Sequence, residues 1–389
     1  MNAIHFGAGS IGRGFIGDLL HNDGYAIAFV DVNTELNKQI NHDNGYDLYI
    51  IEKGYEKKSI DRCTAWSPLT DREKIRALFV EADIITTSVW ADNLAKIAPV
   101  ILDGLKERRH RHKARINIIT CENALFNGDM LRRAVLDLDN SLTAPALDAL
   151  ACFPNTAVDR MVLNSRRDGK DTVDIGVEYE LVIERSRLAD PEKPPITGAV
   201  YTAGLQQYLE RKLYVINGGH AWAGYMGYVL GYDIIQDVFA DDTQVLAVKN
   251  AMGEAADLLS HKYDFSRDDL DRYIDFAINR FKTPGIRDTI SRVCRSPIRK
   301  LSPNDRLVGP CAQCEAAGLE NSALLAGIAA AFLFENPMDE QCNELQAAIQ
   351  QQGIGKAVTR YTGIGDASRM HREIVQCYAR LKEIKNTHR

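Results

Sequence analysis

Three groups of residues combine types and spacings that can do chemistry. The first is GAGSIG, in which Gly7, Gly9 and Gly12 stand between an apolar run, Asn2 to Phe6, and a helical pattern carried by Ile11, Phe15, Ile16, Leu19 and Leu20. Gly7 permits a tight turn, Gly9 lets backbone N–H groups approach a pyrophosphate, and Gly12 lets the helix lie close on a sheet. Ala8, Ser10 and Ile11 complete the loop, and the helix N-terminus adds the positive end of its dipole. Asp31 ends the second apolar run, where a carboxylate accepts hydrogen bonds from an adenosine ribose and repels a 2′-phosphate. The combination predicts NAD rather than NADP as cofactor.

The second group is Lys212, Asn217 and His220, in RKLYVINGGHAWAGY. At about 100° per residue on an α-helix, Asn217 lies about 140° and His220 about 80° from Lys212, so all three fit on half a circumference. An alcohol-oxidising site needs a base for the hydroxyl proton and a donor for the developing oxyanion. A lysine among apolar neighbours, near a positive nicotinamide, can have its pKa brought down to about 7–8 and serve as that base. An asparagine amide offers N–H groups to the oxyanion, and the histidine can bond the reacting hydroxyl or hold the lysine in place. The helical patterns of the first half hold no YxxxK pair. Cys311 and Cys314 form one CxxC without the second ligand pair that structural zinc uses, so no metal is expected.

The third group lies between Arg280 and Arg306. Arg280, Lys282, Arg287, Arg292, Arg295, Arg299, Lys300 and Arg306 face only Asp288 and Asp305, in a chain whose net charge is −6. Guanidinium forks bind phosphate oxygens bidentately, so this excess predicts a phosphorylated small molecule as substrate.

Two kinds of element must position these groups. From residue 2 to about 185, apolar β-prone runs alternate with helical patterns: Asn2 to Phe6, Ala26 to Asp31, Asp83 to Val89, Ile116 to Cys121 and Leu150 to Phe153. This predicts an α/β, Rossmann-like, doubly wound parallel sheet. Thr172 to Ile183 alternates apolar and polar residues, as an edge strand does. The proline-rich stretch ADPEKPPIT, 189–197, marks a boundary, with a nucleotide-binding half at 1–190 and a mainly α-helical catalytic and substrate half at 191–389. The basic run RRHRHK, 108–113, is expected to be a solvated loop.

Composition narrows the remaining choices. A chain of 389 residues with 45% hydrophobic and 26% charged residues is ordinary globular protein. An acidic net charge speaks against nucleic acid as a partner, and the densest apolar run, LLAGIAAAFLF, is too short to span a membrane. The N-terminus shows no basic region before an apolar stretch, so no secretory signal is expected. Eight scattered cysteines suit a reducing, cytoplasmic setting.

Five stretches together resemble the polyol-specific long-chain dehydrogenases: GAGSIGRGF at the N-terminus, CENALFNG at 121–128, FPNTAVDRM at 153–161, KxxxxNxxH at 212–220 and RFKTPGIRDTISRVCRSPIRKL at 280–301. The resemblance covers essentially the whole chain. It implies a metal-independent, NAD-dependent secondary-alcohol dehydrogenase with Lys212 as general base, Asn217 and Asn123 as the oxyanion hole, and His220 orienting substrate. It places Arg292 and Lys300 at the substrate, with Arg295 and Arg299 as further phosphate ligands. Asp159 resembles a family position near the lysine, and an ion pair with Arg160 in a loop is the alternative. The expected reaction interconverts D-mannitol 1-phosphate and D-fructose 6-phosphate. A dehydrogenase of free polyols or hexuronates from the same family, or an NADH-sensing regulator without turnover, are the other readings.

Overall fold

The structure, a computed structural model, describes residues 1–283 and 286–388. Pro284 and Gly285 of the 280–301 motif, and Arg389, lie outside the described residues. The chain forms two compact units, Met1–Tyr208 and Leu209–Arg389.

In the first unit, strands β1 (Asn2–Phe6), β2 (Ala26–Val30), β5 (Cys63–Trp66), β6 (Ile84–Thr87), β7 (Ile116–Thr120) and β8 (Ala151–Cys152) form one sheet in the order β5-β2-β1-β6-β7-β8, every pair parallel. These strands are nearly continuous in apolar residues because both faces are covered. Phe15, Ile16, Leu36 and Ile40 pack with Ala3, Ile27 and Phe29 in one core. Ile75, Phe79, Ile101 and Leu131 pack with Ile4, Ile85 and Ile118 in another. The α/β, doubly wound expectation describes this unit.

A second sheet was not anticipated. The hairpin β3 (Gly45–Ile50) and β4 (Glu56–Asp61) joins β9 (Thr156–Arg167), β10 (Lys170–Glu184) and β11 (Val200–Thr202) in the order β11-β10-β3-β4, with β9 antiparallel to β10. Because β11 pairs with β10, residues 191–208 fall in the first unit rather than the second. The segment RRHRHK keeps to expectation at 109–113, which are exposed, but not at its first residue. Arg108 is buried in the last turn of helix Leu94–His110, where its guanidinium donates to the carbonyls of Phe79, Ala82 and Ala114.

The described part of the second unit is helical. Helix Gly218–Val229 is almost wholly buried and packs on Asp242–Lys262, Ile290–Cys294 and Ser322–Ala331. Glycines make those approaches possible: a Cβ at Gly219 would lie 2.6 Å from Met252, one at Gly224 2.8 Å from Val293, and one at Gly327 2.1 Å from Trp222. No helix among the described residues is long and apolar enough to cross a membrane.

Candidate active site

The glycine loop follows β1, at the carboxyl end of the sheet. Gly7 has φ +100°, and a Cβ there would stand 2.6 Å from the Ser88 carbonyl oxygen. A Cβ on Gly12 would lie 1.9 Å from the Gly7 carbonyl oxygen, so the helix at 10–22 can press on the loop only with glycine at this position. Around Gly9 there is open space, with nothing within 4 Å of an added Cβ. One glycine makes the turn, one permits close packing and one leaves the backbone accessible, which is the cradle a pyrophosphate needs.

Asp31 is built into this cradle. Its carboxylate accepts from the Ala8 N–H at 2.6 Å and from the Asn33 N–H at 2.8 Å. The Ala8 carbonyl in turn accepts from buried Arg13, whose guanidinium also reaches the Asp171 carbonyl of β10. The carboxylate is therefore held in place by backbone N–H groups, at a loop that Ser10 and Ile11 carry into the helix.

Residues Gly12–Gly17 form a π turn within that helix. Such a turn frees carbonyls from the i→i−4 ladder. Here the Arg13 carbonyl accepts from Tyr46 and the Gly14 carbonyl from Arg160. Arg160 also pairs with buried Asp18 at 2.7 Å, and neither Asp159 nor Arg160 lies in a loop. Both residues stand on β9, where Asp159, itself buried, lies opposite Glu180 of β10.

The motifs CENALFNG and FPNTAVDRM brace each other. Asn127, fully buried, donates to the Glu122 carbonyl and to Thr156, while Asn155 bonds Asp129. This fixes the exposed loop residue Asn123 just beyond β7. Glu122, which sequence reasoning passed over, is buried and accepts from Thr87 Oγ1 at 2.8 Å and the Val89 N–H at 3.0 Å. Burial pushes its carboxyl pKa up, against those hydrogen bonds. The signal was an acid placed directly after the apolar run INIITC.

In the second unit, Lys212 and Asn217 are the two ends of another π turn, Lys212–Asn217. The α-helical angles used above therefore do not apply between them. An i→i+5 turn is wider than an α-turn, so residues five apart lie nearer to one face than on a regular helix. Tyr214, Val215 and Ile216 are buried between them, while Lys212, Asn217 and His220 are partly exposed. The two following glycines admit neighbours, since a Cβ at Gly218 would lie 3.0 Å from the Arg306 carbonyl oxygen.

His220 is stacked on Phe281 with ring centroids 4.7 Å apart, and its Nε2 lies 3.4 Å from Asp288 Oδ2. Burial holds its pKa below the usual histidine value, opposed by Asp288 and assisted by Arg292 and Arg280. Asp288, counted from sequence only as a charge, is thus a central residue. It also receives Arg292 bidentately, at 2.5 Å to each oxygen, and its carboxyl pKa is held down to about 2 by His220 and Arg292 although burial opposes this. An arginine four residues after an acid was the available signal.

The basic run divides on inspection. Arg306 pairs with Asp305 at 2.7 Å, whereas Arg295 and Arg299 are exposed. Arg292 is 56% exposed in its side chain while paired with Asp288. Lys300 is buried and donates to the carbonyls of Val293, at 2.8 Å, and Arg295, which engages two of its three ammonium hydrogens. Burial brings its pKa down to about 8. Cys311 and Cys314 are buried thiols bonded to the carbonyls of Asn321 and Glu254, with pKa values raised by burial.

Comparison with known proteins agrees with this layout. Residues 1–196 match the mannitol dehydrogenase Rossmann domain, and residues 204–382 the mannitol dehydrogenase C-terminal domain. A mannitol-1-phosphate 5-dehydrogenase of Caldanaerobacter subterraneus subsp. tengcongensis is 38% identical over 98% of this chain and 99% of its own. One of Thermoanaerobacter pseudethanolicus is 39% identical over 98% of both chains. Among solved structures, Pseudomonas fluorescens mannitol 2-dehydrogenase, in a ternary complex with NAD and D-mannitol, aligns over 100% of this chain and 93% of its own with a TM-score of 0.72 at 19% identity. A substrate-free D-sorbitol dehydrogenase aligns over 100% and 94% with a TM-score of 0.82 at 16% identity, so both share the fold. By its two matched domains and its full-length relatives, the chain belongs to the mannitol dehydrogenase family.

Proposed function

We propose that the protein catalyses the NAD-dependent, metal-independent interconversion of D-mannitol 1-phosphate and D-fructose 6-phosphate with Lys212 as general base. The observation that carries this reading is the identity of 38–39% over 98% of the chain with relatives named for that substrate. The accessible Gly9 backbone and the pre-set Asp31 carboxylate fit NAD, which when bound takes a hydride from the carbinol carbon of the polyol phosphate and, reduced, returns it to the ketose.

The chain supplies the rest. The neutral amine of Lys212 takes the hydroxyl proton in polyol oxidation, and the ammonium returns it in ketose reduction. Asn217, one π turn away, donates to the oxygen on which charge develops, and the resemblance gives Asn123 the same task. His220, kept neutral and held by Phe281 and Asp288, orients the substrate hydroxyl. Asp159 is assigned to the substrate's surroundings by the same resemblance. Arg292, Arg295 and Arg299 grip the phosphate, while Lys300 fixes the turn that carries Arg295.

The test is NADH oxidation followed with fructose 6-phosphate, fructose and fructuronate side by side. Charge-assisted bonds contribute about 1.5–3 kcal/mol each, so fructose 6-phosphate should exceed fructose by several orders of magnitude in kcat/KM. Preference for fructose or fructuronate would move the protein to the free-polyol or hexuronate reading, and no turnover with any of the three would leave the NADH-sensing one.

A further inference from the structure

One buried acid is not used by the chemistry proposed above. Glu122 stands two residues beyond β7 and one before Asn123, and it is only 3% exposed. The Thr87 hydroxyl lies 2.8 and 2.9 Å from its two carboxylate oxygens and donates to them, and the Val89 N–H donates to Oε1 at 3.0 Å. No cation among the described residues pairs with it, so neutral donors alone offset the desolvation of the carboxyl group. An apolar residue would fill the same space without that cost.

What the bonds of Glu122 join gives it a task. β6 and β7 are adjacent parallel strands, paired from Ile84 with Asn117 to Thr87 with Thr120. The Cys121 N–H extends that pairing to the Thr87 carbonyl at 2.9 Å, and the Glu122 side chain then crosses back to Thr87 and Val89. Its main chain is held from the other side, the carbonyl accepting from Asn127 Nδ2 and from the Ala124 N–H, each at 2.9 Å. Asn123, exposed, is thus set between fixed neighbours. The same carboxylate holds the loop after β6 at Val89, where the next residue, Trp90, takes φ 71° and ψ 143°, at the margin of a region that essentially only glycine enters. The strand order places both loops on the other side of β1 from Asp31, in the half of a doubly wound sheet that takes the second mononucleotide of a dinucleotide.

We propose that Glu122 is a positioning residue for Asn123, locking the end of β7 to the loop after β6 so that the Asn123 amide meets the oxygen on which charge develops. The inference rests on the oxyanion role given to Asn123 above and adds what holds that amide in place. Glu122 acts through its neighbour rather than on substrate or cofactor. The effect is worth measuring because a displacement of about 1 Å at a reacting centre costs about 10²-fold in rate.

The experiment is a double-mutant cycle in the full-length protein, with kcat for fructose 6-phosphate reduction measured in Glu122→Ala, Asn123→Ala and the pair, and NADH affinity followed by fluorescence. Asn123→Ala should lower kcat by roughly 10²–10³ and Glu122→Ala by roughly 10–10². The pair should lie within about threefold of Asn123→Ala alone, since a displaced amide that is already gone costs nothing more. NADH affinity should stay within about threefold throughout. Glu122→Gln keeps an acceptor for the Val89 N–H and a partner for Thr87, and should return kcat to within about threefold of the wild type. If Glu122→Ala does not fold, Glu122→Asp, whose carboxylate is drawn back by one methylene, takes its place in the cycle with the same expectations. Wild-type kcat in the Glu122 variant, or losses that multiply in the pair, would overturn the positioning role and leave Asn123 in place. No loss in Asn123→Ala would remove the oxyanion role and the inference together, while the absence of turnover in the wild type would remove the proposed reaction itself.

Discussion

Among the described residues each unit carries one helix interrupted by a π turn, and the two turns differ in what they bury. Gly12–Gly17 is buried throughout, and its freed carbonyls are taken by Tyr46 and Arg160, so the wide turn becomes a surface on which the second sheet can lie. Glycine makes this possible, since a Cβ at Gly14 would lie 2.4 Å from Val162 and one at Gly17 2.3 Å from the Tyr46 hydroxyl. Lys212–Asn217 buries only its middle and leaves a lysine and an amide partly exposed at its two ends. One backbone device therefore packs in one place and, in the function we propose, positions chemistry in the other.

The largest expected effect tests the packing turn. Gly12→Ala sets a Cβ against the Gly7 carbonyl and should destabilise the first unit by about 3 kcal/mol or more, with loss of NADH binding, measured by denaturant melts and titration. Asn217→Ala should do the reverse. Stability should stay within about 1 kcal/mol while kcat falls by roughly 10²–10³, the cost of one oxyanion donor. If Asn217→Ala instead unfolds the second unit with kcat intact, both turns are packing devices and the contrast fails.

Smaller effects come from two histidines, one in each unit, whose pKa values are both shifted down. His5 is held at a pKa of about 3 by burial while bonded to Thr86 and Ser88, and His220 is also shifted down. For both, the unfolded chain binds a proton below about pH 6.5 that the folded one refuses. Stability should therefore fall as pH drops below about 6.5, with a slope of up to ~1.4 kcal/mol per pH unit for each histidine. His5→Gln should flatten the slope without touching turnover. Asp288→Asn should lower kcat/KM by about tenfold through loss of the His220 tether, with a smaller effect on NADH affinity. The smallest effect is on cofactor choice: Asp31→Ala should narrow the preference for NAD over NADP by about tenfold or less, and equal use of both by the wild type would contradict the reading of Asp31.

Much of this was legible in the chain because the signals are local. The strands of the parallel sheet are apolar runs, GAGSIG follows one of them, and Asp31 closes the next. The second sheet was hidden since β4, EKKSID, and the FPNTAVDRM segment are too polar to stand out as strands before their partners are known. The π turns left no trace in hydrophobic period. Lys212, Asn217 and His220 were identified correctly as neighbours on one helical segment, with angles from the wrong helix type. Asp288 was missed as a tether because charge counting treats an acid among arginines as a subtraction, whereas in space it joins Arg292 to His220. Trp90 was unreadable for a different reason: no property of the type tryptophan announces a positive φ.

The account turns on Lys212 as the base at the accessible π turn. Its most direct test is kcat for polyol-phosphate oxidation in wild type and Lys212→Ala, with NADH affinity followed by fluorescence in the same preparations. The account predicts a loss of about 10²–10⁴ or more in kcat at nearly unchanged NADH affinity, and a wild-type rate that rises with pH through a single ionisation absent from the variant. A variant that keeps most of its kcat and the same pH profile would contradict it.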